Sequence, residues 1–192
     1  MTRLWLVRHG PTHARGMVGW SDLPADLSDR PALARLAALL PPAAAVVSSD
    51  LRRAVATADA LQGHRPRLSH DAALREIHFG AWELRSHAEV EADDPAHIRA
   101  FWDSSGDVAA PGGESWNAMA SRVHGALDRL ALAHAGGDLV VVCHFGAILA
   151  CVQRALGQSV QQAFAQRIDN LSLTEIAVTP EGWQASRINH IA

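Results

Sequence analysis

The sequence predicts an α/β protein: a three-layer sandwich with a mostly parallel sheet flanked by helices. Three observations lead there. Residues 4–7, 45–47 and 139–143 are short runs apolar at every position, as in strands buried on both faces. Segments with apolar residues at helical spacing separate these runs, and strands alternating with helices favour a parallel sheet. The chain's 192 residues, 48% apolar and 19% charged, suit one domain with one good-sized core.

Each element has its own local reason. Residues 4–7 stop at Arg8-His9-Gly10-Pro11, where Gly and Pro forbid smooth continuation, and a polar loop follows to about residue 29. Asp29 is the expected cap of a first helix, with Pro31 in its first turn and Leu33, Leu36, Leu39 and Leu40 at helical spacing before Pro41-Pro42. The run 45–47 leads into a helix over about 51–61, with Ser49 or Asp50 as its expected cap. Residues 75–116 are irregular and rich in Trp and acid, and read as a lid or cap excursion from the main layers. Helices are expected over about 115–134 and 146–156. Residues 171–178 and 183–188 alternate as two strands around Pro180-Glu181-Gly182.

Composition narrows the partners. The chain has no Lys, 17 Arg, 11 His and a formal net charge of −3. The broad basic footprint of a nucleic-acid binder is missing, while a local anion site built from Arg and His remains open. With 36 Ala, much of the Arg usage reads as codon bias. Cys143 and Cys151 form no framework, which suits a reducing compartment. The N-terminal apolar run is too short for a signal peptide, and no run approaches the roughly 20 apolar residues of a membrane span. A cytoplasmic protein without nucleic-acid or membrane partners is expected.

Two segments echo one another. Residues 4–10 and 140–146 each run an apolar strand into a His, His9 and His144, with Gly close behind. In a parallel sheet both imidazoles lie at carboxyl strand ends, where open α/β folds bind ligands. Arg8 beside His9 suits bidentate binding of phosphate or carboxylate. Arg52 and Arg53 fall in the first turn of a helix, where the macrodipole disfavours cations unless an anion compensates them.

These residues match a pattern. Residues 6–12 (Leu-Val-Arg-His-Gly-Pro-Thr), the Ser-Ser-Asp-Leu-Arg-Arg-Ala run from Ser48, residues 74–80 around Glu76, and residues 142–146 around His144 resemble the histidine phosphatase superfamily, in the family's order. This is the group of cofactor-dependent phosphoglycerate mutases and many small phosphatases. The resemblance implies His9 as nucleophile and phosphohistidine carrier, with Arg8, Arg53 and His144 around the transferring phosphoryl group. It implies Glu76 as proton donor to the leaving group, with Glu83 and Asp22 as alternative acids. Thr12, Arg15 and Phe145 join Arg8 and Arg53 as expected substrate contacts. No metal and no cofactor is required. Arg53 rather than Arg52 follows from the motif, in which the Arg directly before Ala is the phosphate ligand.

Departures point away from the mutases. Arg15 stands where many members have Asn, Val18 where mutases have Thr, and Ala25-Asp26 interrupt the next loop. Between 75 and 116 only Arg75, Arg85 and Arg99 face nine acids, too few cations to hold a bisphosphate. The expected activity is therefore hydrolysis of a small phosphorylated metabolite, with phosphoglycerate mutase and a non-catalytic phosphate-binding module as alternatives. Residues 79–83 and 111–115 look like the α-ribazole phosphatase branch, and the lid aromatics either stack on substrate or form the lid's own core. Zinc binding is disfavoured, since Gly10-Pro11 separate His9 from His13 and no HExxH or paired Cys exists. A homodimer through an edge strand is expected on fold analogy alone.

Overall fold

The computed structural model describes residues 1–104 and 106–192. Five strands, β1 (Thr2–Arg8), β2 (Ala45–Ser48), β3 (Asp138–Cys143), β4 (Leu173–Thr179) and β5 (Gly182–His190), form one sheet in the order β2-β3-β1-β4-β5. β1, β2 and β3 run parallel, whereas β4 pairs antiparallel with β1, and β5 pairs antiparallel with β4 at the sheet edge. The sheet is thus parallel where the two His-bearing strands meet. Of the final two strands only β4 runs against that direction; the short turn after it permits only a hairpin, which returns β5 to the direction of β1.

Strand alternation builds the three layers. Leu4, Leu6, Val47, Leu139 and Val141 face one core, with Met119, Val123, Leu127 and Ile148. Val7, Val46, Val140 and Val142 face the other, with Leu33, Leu36, Ala54, Ala58 and Leu61. The helices behind these faces are α1 (Arg30–Leu39) and α2 (Arg52–Gln62) on one side, and α5 (Trp116–Ala133) and α6 (Phe145–Leu156) on the other. Asp29 caps α1 by accepting from the Ala32 amide at 3.0 Å, and Ser115 caps α5 through the Ala118 amide at 3.2 Å.

Two expectations need correction. Neither Ser49 nor Asp50 caps α2: its N-cap is Leu51, with no side-chain cap bond of its own. Asp22 instead reaches over from the loop between β1 and α1 and accepts from the Arg52 amide at 2.7 Å, while Asp50 pairs with Arg75. The excursion 75–116 is also more regular than expected. It holds α3 (His87–Asp93) and α4 (Pro95–Asp103), begun by a Ser86/Glu89 capping box and by Asp94 before Pro95. A further short helix, α7 (Val160–Phe164), starts at a second capping box, Ser159/Gln162. Trp82, Phe101 and Trp116 are buried, so these lid aromatics pack into the core. No helix among the described residues is long and apolar enough to cross a membrane.

Candidate active site

Parallel pairing brings the two histidines together. Arg8 lies in register with Cys143, and the His9 amide donates to the Cys143 carbonyl at 3.1 Å. His9 and His144 therefore leave adjacent strand ends side by side, with ring centroids 5.1 Å apart.

His9 is held in one tautomer. Its Nδ1 lies 2.7 Å from the Gly10 carbonyl oxygen, which can only accept, so Nδ1 carries the proton and Nε2 keeps its lone pair. Arg53 Nε donates to that Nε2 at 3.2 Å. Burial, and then the nearby Arg53 and Arg8 guanidinium groups, push the His9 pKa down to about 3. The imidazole is neutral across the physiological range.

Arg53 is 1% exposed, a costly position for a cation unless its donors are met. Besides His9, it donates through Nη1 to the Ser21 carbonyl at 2.8 Å and through Nη2 to the Gly19 carbonyl at 2.6 Å. The loop bearing those carbonyls is tied down by Glu83. Its carboxylate accepts from the amides of Gly19, Trp20, Ser21 and Phe79 and from the Ser21 hydroxyl, at 2.6–3.1 Å. These bonds outweigh its burial and lower the Glu83 pKa, so it stays ionised. Glu83, an alternative proton donor on sequence grounds, is occupied as the anchor of a loop. The other alternative, Asp22, is occupied at the start of α2.

Glu76 is differently placed. Its backbone is fixed by Arg122 and Trp20, both donating to its carbonyl. Among the described residues its carboxyl oxygens accept only from the Ile77 and Gly146 amides, each at 3.0 Å. Burial dominates these bonds and the pull of Arg53 and Arg8, so its pKa is raised above the usual carboxylate range. Gly146 permits this approach, since a Cβ there would collide with Glu76 Oε1. The neighbouring Arg75 points elsewhere, forming a bidentate pair with Asp50 at 2.6 and 2.7 Å.

Arg8, His9, Thr12, Arg53, Glu76 and Phe145 line one cleft of about 240 Å³. Arg8 Nη1 donates to the Ile168 carbonyl at 2.6 Å, and its guanidinium lies over the Phe145 ring, 5.2 Å from the centroid. Arg8 Nε and both His144 ring nitrogens are buried without a hydrogen-bond partner among the described residues. Burial, with His9 and three arginines nearby, holds His144 well below its usual pKa. Arg15, expected as a substrate ligand, is exposed and lies outside the cleft lining, because the loop after Thr12 turns its side chain to solvent.

Two supports escaped the sequence reading. Thr57 Oγ1 accepts from the Gly10 amide at 3.0 Å and donates to the Arg53 carbonyl, linking the His9 turn to α2. It stands four residues after Arg53, one helical turn on, which was a usable signal. Asn170 Nδ2 donates to the His9 carbonyl at 2.8 Å, a long-range contact that no local pattern announces.

A buried neutral imidazole beside two guanidinium groups and a carboxyl group of raised pKa has the parts for phosphoryl transfer. The sequence profile of the histidine phosphatase superfamily (branch 1) matches residues 4–191. The chain belongs to that superfamily. It is 33% identical over 202 residues to the bifunctional protein Rv2228c of Mycobacterium tuberculosis, covering 97% of this chain and 53% of that one. The chain thus spans about half the length of that relative. It is 37% identical over 169 residues to a glucosyl-3-phosphoglycerate phosphatase of Mycolicibacterium vanbaalenii, covering 81% of this chain and 74% of that protein. The structure resembles the α-ribazole phosphatase of Shigella flexneri with a TM-score of 0.84 at 25% identity, covering 99% and 97% of the two chains. Among the described residues, no group of three or more His, Cys, Asp or Glu side chains is placed to hold a metal ion.

Proposed function

We propose that this histidine phosphatase domain, with residues 75–116 as its lid, hydrolyses a small phosphomonoester through a phosphohistidine on His9, without a metal. The observation that carries this reading is the His9 tautomer: a neutral ring with its Nε2 lone pair beside Arg53, in the cleft that also holds Arg8 and Glu76.

The step balances with these groups. The Arg53 Nε hydrogen bond to Nε2 gives way, and the freed lone pair attacks phosphorus while the bond from phosphorus to the ester oxygen breaks. That oxygen keeps the electron pair and takes the Glu76 proton, so the product leaves as an alcohol. Arg8, Arg53 and His144 surround the phosphoryl oxygens as charge builds. Water then gives a proton to the Glu76 carboxylate and its oxygen attacks phosphorus. The bond to Nε2 breaks, its pair returns to the ring, and phosphate departs.

Hydrolysis is favoured over transfer between phosphoglycerates by the state of the lid cations. Arg75 pairs with Asp50, Arg85 with Asp93 and Arg99 with Glu91, so each already has an acid partner. A panel of phosphomonoesters assayed with wild type and His9→Ala, with and without chelator, tests the reading. Chelator-resistant hydrolysis that His9→Ala abolishes is expected. Normal turnover by His9→Ala, dependence on a metal, or phosphoryl transfer between phosphoglycerates faster than hydrolysis would overturn it.

A further inference from the structure

Beyond the phosphoryl cleft lies a second, smaller cavity of about 40 Å³, lined by Glu76, Ile77, Phe79, Phe101, Trp102, Trp116, Phe145, Gly146 and Phe164. It meets the cleft on Glu76, Phe79 and Phe145, which line both. Glu76 is the group assigned to protonate the leaving oxygen, so the cavity begins where the alcohol departs. Apart from Ile77 and Gly146, its remaining walls are aromatic rings braced edge to face: Phe101 on Trp102 at 4.9 Å, Trp102 on Phe164 at 5.4 Å and Trp116 on Phe164 at 4.7 Å. Trp116 is further fixed by its indole N–H donating to Gln153 at 2.7 Å.

The charges nearby are as informative as the walls. Arg8 and Arg53 are the only arginines among the described residues lining either cavity, and both serve the phosphoryl group. A carboxylate or second phosphate on the alcohol would meet aromatic rings and the Glu76 carboxyl group, and would lose its hydration without gaining a cation.

Resting on the phosphatase reading, we infer that the substrate is a phosphate ester of an alcohol with no second anionic group, whose apolar substituent next to the ester carbon enters the aromatic cavity. A space of about 40 Å³ is on the scale of a single liquid water's share, so it holds one or two methylene groups or the edge of a ring. The selectivity follows: each methylene that enters an apolar site is worth roughly fourfold in kcat/KM, and the gain stops when the cavity is full.

The test is kcat/KM for methyl, ethyl, propyl, butyl and hexyl phosphate, with 3-phosphoglycerate as the anionic comparison. The expected series climbs about fourfold per carbon over one or two steps and then levels, with 3-phosphoglycerate below butyl phosphate. Phe164→Ala, which widens the cavity, moves the plateau to a longer chain; this ratio is internal to the variant and survives a general loss of activity. A flat series, or 3-phosphoglycerate as the better substrate, overturns the inference while leaving His9-dependent hydrolysis standing. No hydrolysis of any ester by wild type overturns the phosphatase reading itself.

Discussion

Arg53 Nε donates a hydrogen bond to His9 Nε2 at 3.2 Å, so the cation assigned to the phosphoryl oxygens also touches the atom assigned to attack phosphorus. The contact occupies the Nε2 lone pair, so it must break before that pair attacks phosphorus. The guanidinium is then left beside the bond that would form, and its charge adds to burial in keeping the ring neutral.

Lys at position 53 keeps the charge but cannot span His9 and the Gly19 and Ser21 carbonyls together. Arg53→Lys is expected to lower kcat by about 10²- to 10³-fold, measured by steady-state hydrolysis of p-nitrophenyl phosphate. A loss under threefold would show that the geometry of the guanidinium is not used.

The raised pKa of Glu76 sets the pH dependence. The group must be protonated to act as an acid, while His9 needs to lose its proton only near pH 3. Activity therefore falls as pH rises through the Glu76 pKa. Glu76→Ala should lose about 10²- to 10⁴-fold with an alkyl phosphate, whose alkoxide is a poor leaving group. The loss should be much smaller with p-nitrophenyl phosphate, whose phenolate leaves unassisted. Equal losses on both substrates would remove Glu76 from the acid role.

Glu83 should behave differently from Glu76. Glu83→Gln places an amide N–H₂ against amides that need an acceptor, leaving buried donors unmatched at about 1–3 kcal/mol. A lower Tm, a higher KM and a reduced kcat are expected, with the basic limb of the pH profile where wild type has it. A displaced basic limb would mean that Glu83, too, exchanges the catalytic proton.

Much of this was legible in the sequence because it is local. The apolar runs ending at His9 and His144 define their own strands, and Asp29 and Ser115 sit at caps whose chemistry is written within three residues. Other features depend on distant parts of the chain. Asp22 caps α2 from another loop, Asn170 reaches the His9 carbonyl across 161 positions, and the antiparallel placement of β4 is decided by which strand it meets. The outward turn of Arg15 belongs to the same class, since composition cannot tell a cleft arginine from a solvated one. The capping boxes at Ser86 and Ser159 were readable; the aromatic, irregular look of residues 75–116 obscured the first, and the second opens a helix of only five residues.

Buried neutral histidines also shape stability. The unfolded chain protonates His9 near pH 6.5, whereas the folded chain resists until about pH 3, so its contribution is complete above pH 6.5 and is lost as pH falls toward 3. His144 acts in the same direction. Thermal unfolding between pH 7 and pH 4 should show wild-type Tm dropping more steeply than that of His9→Asn. Parallel curves would mean that His9 is protonated in the folded protein.

The central claim is that His9 carries the phosphoryl group, and trapping under alkaline conditions reads it directly. Wild type mixed with a ³²P-labelled phosphomonoester, rapidly denatured in alkali and digested, should yield a labelled peptide containing His9. The label should survive base, be released by mild acid, and be missing from His9→Ala. Turnover without a labelled enzyme at any quench time, or label on a residue other than His9, would contradict the account.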